Sequence, residues 1–145
     1  MSLVAGAAAI VHLDGEPVAA RRWDARQKQR LRDSRVESTR TLVEAIAALP
    51  AQARPRTLIA ASGADYYPFA QDTEFDDDEV TEAAEPGDSF LARLCRDWEA
   101  EARAAEAHGC RVVIVRNGIA LARDGGALRK MLLPFQLGLG GRIAS

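Results

Sequence analysis

Cysteine is scarce in this chain. Cys95 and Cys110 stand in neither a Cys-x-x-Cys spacing nor a histidine cluster, so the sequence offers no metal-ligating motif and no dithiol redox motif. One falls in a helical pattern and the other opens a strand, where free thiols are expected to be buried. An excess of one charge is also missing: 19 basic residues face 21 acidic ones, for a formal net charge of −2. Nothing in that balance draws the chain to nucleic acid or to an anionic membrane surface. No apolar run approaches the length of a bilayer span, and residues 1–10 lack the basic segment of a secretory leader. A cytoplasmic location is the resulting expectation. The basic residues are nearly all arginine and alanine is abundant, as a GC-rich coding sequence would produce. There is no internal repeat and no low-complexity linker.

What is present reads as one domain over residues 1–145, long enough to bury about two-thirds of its unfolded surface. Three short apolar runs stand out, Ala8 to Leu13, Thr57 to Ala61 and Arg111 to Arg116. Each is apolar through its centre, the pattern of parallel strands covered on both faces. Between them lie two long helical patterns. The first spans about Asp24 to Leu49, with Asp24 as cap, Gln27 three residues on, and Pro50 as the stop. The second spans about Ser89 to His108, started by Asp88 or Ser89, and ends at Gly109, a residue suited to the left-handed conformation. Strand alternating with helix predicts an α/β fold: a three-stranded parallel sheet with flanking helices. A shorter helix is expected over Ala127 to Leu133, stopping before Pro134. The acidic segment Asp72 to Asp88 lacks the spaced ligands of a calcium loop and reads as solvated.

Ligands of open α/β sheets bind beyond the carboxyl ends of the strands, so the turns there come first. After the first strand, Gly15 in Leu13-Asp14-Gly15-Glu16-Pro17 leaves room for close backbone approach to a ligand, or simply ends the strand. After the second strand, Ser62, Tyr66 and Tyr67 in Ser-Gly-Ala-Asp-Tyr-Tyr could polarise a substrate carbonyl, or could be a capped turn with packed aromatics. Arg35 falls on the sheet-facing stripe Leu31, Arg35, Thr39, Leu42 and Ile46, where a charge needs a partner. It is either a clamp on backbone carbonyls or a ligand contact. Gly138, Gly140 and Gly141 follow a helix instead of joining a strand to a helix N-terminus, so they do not make a phosphate loop; Ala5-Gly6-Ala7 fails in the same way.

The run from Val115-Arg116-Asn117-Gly118 to Leu128, continued by Leu133 to Gly141, together with His12 to Pro17 and Trp98-Glu99, resembles the atypical, extended-like branch of the short-chain dehydrogenase/reductases. These are the NAD-dependent epimerase family, whose members are commonly described as nucleoside-diphosphate-sugar epimerases. The resemblance implies a partial NAD(P)-binding Rossmann fold, with NADP or NAD as cofactor and a small-molecule substrate. It implies Ser62, Tyr66 and Tyr67 as catalytic residues, and Leu13, Asp14, Gly15, Arg35, Arg116 and Gly118 as cofactor contacts, with no metal. His12 and Asp14 depart from the family's Asn-Leu-Ala-Gly turn, and Asp65 and Pro68 replace glycines. The Tyr-x-x-x-Lys pair would fall at Leu91 and Cys95, neither of which can carry a proton relay.

Laid on the family, the chain begins just before the fourth strand and stops before the substrate-binding part. The expectation is therefore a middle fragment without the glycine-rich pyrophosphate turn, binding dinucleotide weakly or not at all when alone, and inactive by itself. Two functions follow: a fragment of an NAD(P)-dependent epimerase-like oxidoreductase, or a non-catalytic half-Rossmann module that forms a homodimer through its exposed first strand.

Overall fold

The computed structural model describes residues 4–68, 80–122 and 126–139. Strands β1 (Ala9–His12), β2 (Thr57–Gly63) and β3 (Arg111–Asn117) pair in parallel in the order β1-β2-β3. In register, His12 lies opposite Ala60 and Ala60 opposite Ile114, while Ser62 lies opposite Arg116. The three-stranded parallel α/β sheet expected from the alternation of patterns is what forms. A short fourth strand, β4 (Leu121–Ala122), follows and was not signalled by its two residues.

The first crossover is one helical rod in three parts: α1 (Ala25–Arg32), a wide π-helical turn (Asp33–Glu37) and α2 (Ser38–Ala47). Asp24 caps it, accepting from the Gln27 backbone N–H at 2.7 Å, a contact of the kind whose loss costs about 1 kcal/mol. The wide turn shifts the helical phase by one residue. Uniform helical spacing would put Arg35 on the buried stripe; the extra residue gives that place to Val36, 1% exposed, between Leu31 and Thr39, both fully buried. Arg54 closes the rod's end by donating to the Leu49 and Ala47 carbonyls, each at 2.9 Å.

The second crossover is α3 (Phe90–Arg103), capped by Ser89 and tightened into a 3-10 segment over Ala104–His108. Gly109 then reverses the chain at φ +84°, a conformation that a side chain would strain. The last helix, α4 (Gly126–Gln136), runs past the expected stop at Pro134. Proline forfeits one N–H, but its carbonyl still accepts from Leu139 N at 2.8 Å, so the turn closes.

Cover on the sheet is one-sided among the described residues. Along β2, Leu58, Ala60 and Ser62 are buried, whereas Thr57, Ile59, Ala61 and Gly63 are only partly so. Val43 and Ile46 of α2 and Ala102 of α3 join Leu58 and Ala60 in one cluster. A second cluster, Leu31, Val36, Leu94 and Trp98, holds the rod against α3. The opposite face carries no buried residue, and Val11 remains 59% exposed. The expectation of cover on both faces is corrected here. A sheet that grows strand by strand in one direction, with crossovers of one hand, carries both helices on one side.

Candidate functional site

Parallel pairing brings the ends of β1, β2 and β3 to one edge of the sheet, so the turns after His12, Gly63 and Asn117 share that edge. The candidate site residues Leu13, Asp14, Gly15, Ser62, Tyr66, Tyr67, Arg116 and Gly118 lie there, with Arg35 on the neighbouring helical rod, whereas Cys110 precedes β3 at the opposite edge. The centre of the acidic segment, Asp76 to Glu79, and the glycines at 140 and 141 lie outside the described residues. No group of three or more His, Cys, Asp and Glu side chains suited to a metal ion occurs among the described residues.

At the ends of β2 and β3 a buried polar network forms around Glu99. The Ser62 hydroxyl donates to Glu99 Oε1 at 2.7 Å, and Arg116 donates from Nε to Oε1 at 2.8 Å and from Nη2 to Oε2 at 2.9 Å. Arg116 Nη1 donates to the Tyr67 hydroxyl at 2.9 Å and to the Glu82 carbonyl at 3.2 Å. Its guanidinium stacks on the Tyr66 ring, 3.4 Å from the centroid. The bond to Glu99 is the main reason that the Arg116 pKa rises above its ordinary value. Arg116 thus stays charged and spends its planar edge inside the protein. Ser62, 5% exposed, turns its hydroxyl toward α3 and away from solvent. Behind it sits Cys95, whose thiol pKa is pushed up by burial.

Sequence reasoning missed Glu99 as a site residue. The signal was available: Glu99 falls on the buried face of α3 with Ala92, Cys95 and Ala102. A carboxylate among small buried residues requires a cation, and the basic residue of β3 that shares a face with Ser62 is Arg116.

Gly87 pins the loop above the tyrosines. Its N–H donates to the Tyr66 carbonyl at 2.8 Å, and a Cβ there would lie 2.8 Å from Pro68 Cα, so only glycine fits. Tyr66 and Tyr67 are thereby held half-buried, ring edge to ring face, with centroids 5.4 Å apart.

At the end of β1 a second cluster forms. Leu13, Asp14 and Gly15 are exposed, as is Gly118 after β3. Arg35 lies flat against Gly15: a Cβ at that position would be 2.8 Å from its Cζ. Arg35 Nη1 donates to the Leu31 carbonyl at 3.2 Å and to Ser34 Oγ at 3.4 Å, and the guanidinium sits 5.4 Å from the Trp98 ring centroid. Ser34 Oγ also accepts from the Glu16 N–H at 3.0 Å, tying the turn to the helix. Burial lowers the Arg35 pKa from its ordinary value.

Beneath this cluster, Thr39 Oγ1 lies 2.9 Å from His12 Nε2 and accepts from Trp98 Nε1 at 2.9 Å. Burial also lowers the His12 pKa, with Asp14 opposing. With the ring neutral, the arrangement that satisfies all three groups has Thr39 donating to Nε2 while accepting from the indole. Trp98 is a packing residue with a bonded N–H.

Residues 2–127 match the model of the NAD dependent epimerase/dehydratase family. An epimerase family protein of Mycobacterium bovis is 42% identical over 137 residues, 94% of this chain and 42% of that protein. The crystal structure of human epimerase family protein SDR39U1 (isoform 2) with NADPH superimposes with a TM-score of 0.75 at 37% identity, over 95% of this chain and 45% of that one. A nucleoside-diphosphate sugar epimerase structure from Corynebacterium glutamicum gives a TM-score of 0.76 at 35% identity, over 98% of this chain and 28% of that one. The chain spans less than half the length of these relatives.

Proposed function

The chain belongs to the NAD dependent epimerase/dehydratase family, and from that premise we propose that it carries the proton-handling half of an NAD(P)-dependent oxidoreductase or epimerase site. The substrate is a small molecule, and a relative described as a nucleoside-diphosphate sugar epimerase is what favours the nucleotide-sugar class. The observation that carries this reading is the hydrogen bond from Arg116 to Tyr67, anchored by Glu99 at the carboxyl end of the sheet. A human relative solved with NADPH supports the cofactor class.

The chemistry that a nicotinamide supplies when bound is hydride transfer; the residues here manage the matching proton. Tyr67 oxygen accepts from Arg116, which leaves its own O–H to donate to a substrate oxygen. Negative charge developing on that oxygen meets a guanidinium 2.9 Å away. Arg116 thus takes the place of the lysine that the helix lacks at Cys95, and Tyr66 holds it from one face. Ser62 commits its proton to Glu99 and holds that carboxylate in place beneath Arg116. Leu13, Asp14 and Gly15, with Arg35 and Gly118, line the cofactor side, where the exposed backbone after β1 leaves room for a dinucleotide.

Titration of NADPH and NADH into the isotope-labelled chain tests the reading. Weak, saturable amide shifts centred on Leu13 to Gly15 and Gly118 are expected. Shifts scattered over the surface, or none, would refute it.

A second reading, a non-catalytic module that pairs with another copy, rests on β1. That strand has a ladder partner on one side only among the described residues, and Val11 and Leu13 are 59% and 71% exposed.

A further inference from the structure

The geometry points to Arg35 as a receptor for an oxyanion, a phosphate or carboxylate held in the plane of its Nε and Nη2 edge. The inference deepens the reading above by naming the ligand chemistry at the β1 end of the site, and it rests on other atoms than the tyrosine network.

The first observation is an incomplete bonding pattern. Arg35 has five N–H donors, and only Nη1 is engaged, by the Leu31 carbonyl and Ser34 Oγ. Nε and Nη2 meet no partner among the described residues, and neither is sealed from solvent. Arg116 and Arg54 in the same protein use all three of their nitrogens.

The second observation is where the free edge lies. From the Cβ position of Gly15, Nη2 is 3.0 Å away and Nε 3.2 Å, so the edge borders the turn that follows β1. This is the carboxyl end of a parallel sheet, where ligands bind. The bonds from Nη1 to Leu31 and Ser34, with the Trp98 ring 5.4 Å away, hold the guanidinium beside this turn. The missing Cβ at Gly15 leaves the guanidinium room to lie against the turn, and any side chain there would displace it.

The third observation is charge. The guanidinium is half-buried, and among the described residues no carboxylate forms an ion pair with it. Glu16 and Asp65 act on it only through space. A partly desolvated cation with an open bidentate edge is completed by a planar or tetrahedral oxyanion, and this fork geometry matches both. The two sources share one chemistry: a phosphate of a nucleotide, or a substrate carboxylate.

The test follows the Arg35 side-chain Nε–H resonance in the full 145-residue chain during separate titrations with pyrophosphate, acetate and NADPH. Saturable movement of that resonance with pyrophosphate or acetate, and loss of the anion's effect on the Ser34 and Gly15 amides in R35M, supports the receptor. Pyrophosphate alone identifies a phosphate source, and acetate alone a carboxylate source. R35K keeps the charge without the fork and should lose most of the response. Should R35M fail to fold, the wild-type resonance decides by itself. If neither anion moves Arg35 while NADPH moves Leu13 to Gly15, the receptor is refuted and the cofactor reading stands. If an anion binds at Arg35 while NADPH leaves the turn unmoved, the receptor stands and the cofactor reading falls.

Discussion

Arg116 and Glu99 meet edge to edge, Nε to Oε1 at 2.8 Å and Nη2 to Oε2 at 2.9 Å, with side chains only 13% and 6% exposed. Two parallel bonds between buried planar groups fix both orientations, and the remaining donor on Arg116 is thereby aimed at Tyr67. Removing one partner strands the other's charge away from water, a loss of about 3–5 kcal/mol. Glu99→Leu should therefore lower the urea midpoint sharply, whereas the double change Glu99→Leu with Arg116→Leu should recover part of the loss. A double variant as unstable as the sum of the singles would show that the two residues do not act as a pair.

Thr39 joins three elements through one oxygen, since His12 belongs to β1, Trp98 to α3 and Thr39 itself to α2. Thr39→Val keeps the shape and leaves two buried polar groups unmet, each costing about 1–3 kcal/mol. Chemical denaturation should show the loss, and Thr39→Ser should retain most of the stability. Equal stability of Val and Ser at this position would remove the hydroxyl from the account.

The His12 ring gives a pH dependence with a definite sign. Its pKa is lowered by burial, so the folded protein takes up the proton less readily than the unfolded chain. The contribution is complete above the ordinary histidine value of about 6.5 and is lost as the pH falls from there through the lowered folded value. Between about pH 7 and about pH 5.5 the His12→Gln variant should lose less stability than the parent. Identical slopes in urea midpoints measured across that range would count against a neutral buried ring.

The β1 edge bears on self-association. Val11 lies on the open sheet face, and among the described residues its strand has a ladder partner on one side only. A lysine there is the kind of residue that discourages edge pairing. Sedimentation velocity should show concentration-dependent association of the parent chain and its suppression in Val11→Lys. A parent that stays monomeric at every concentration would dismiss the module reading.

Much of the fold was legible because it rests on local and periodic signals. The apolar runs around Ile10, Ile59 and Val113 marked the strands, and Asp24, Ser89 and Gly109 marked the helix ends through groups a few residues away. The wide turn at Asp33–Glu37 was not legible. Nothing in Asp-Ser-Arg-Val-Glu departs from helical composition, and the extra residue is accommodated only because Val36 finds a buried place against α3.

The sequence by itself determined that three parallel strands alternate with helices, and therefore that the turns bearing Gly15, Ser62, the tyrosines and Gly118 share one end of the sheet. That conclusion needs only periodicity and the geometry of parallel crossovers. Tertiary structure alone decided which side chains bind which: that Glu99 takes Ser62 and Arg116, that Arg116 faces Tyr67, and that Arg35 lies against Gly15. These partners are 17 to 49 residues apart in the chain. Hydrogen bonds and ion pairs act over a few ångströms with strict direction, so their pairing follows from packing in three dimensions and leaves no periodic trace along the chain.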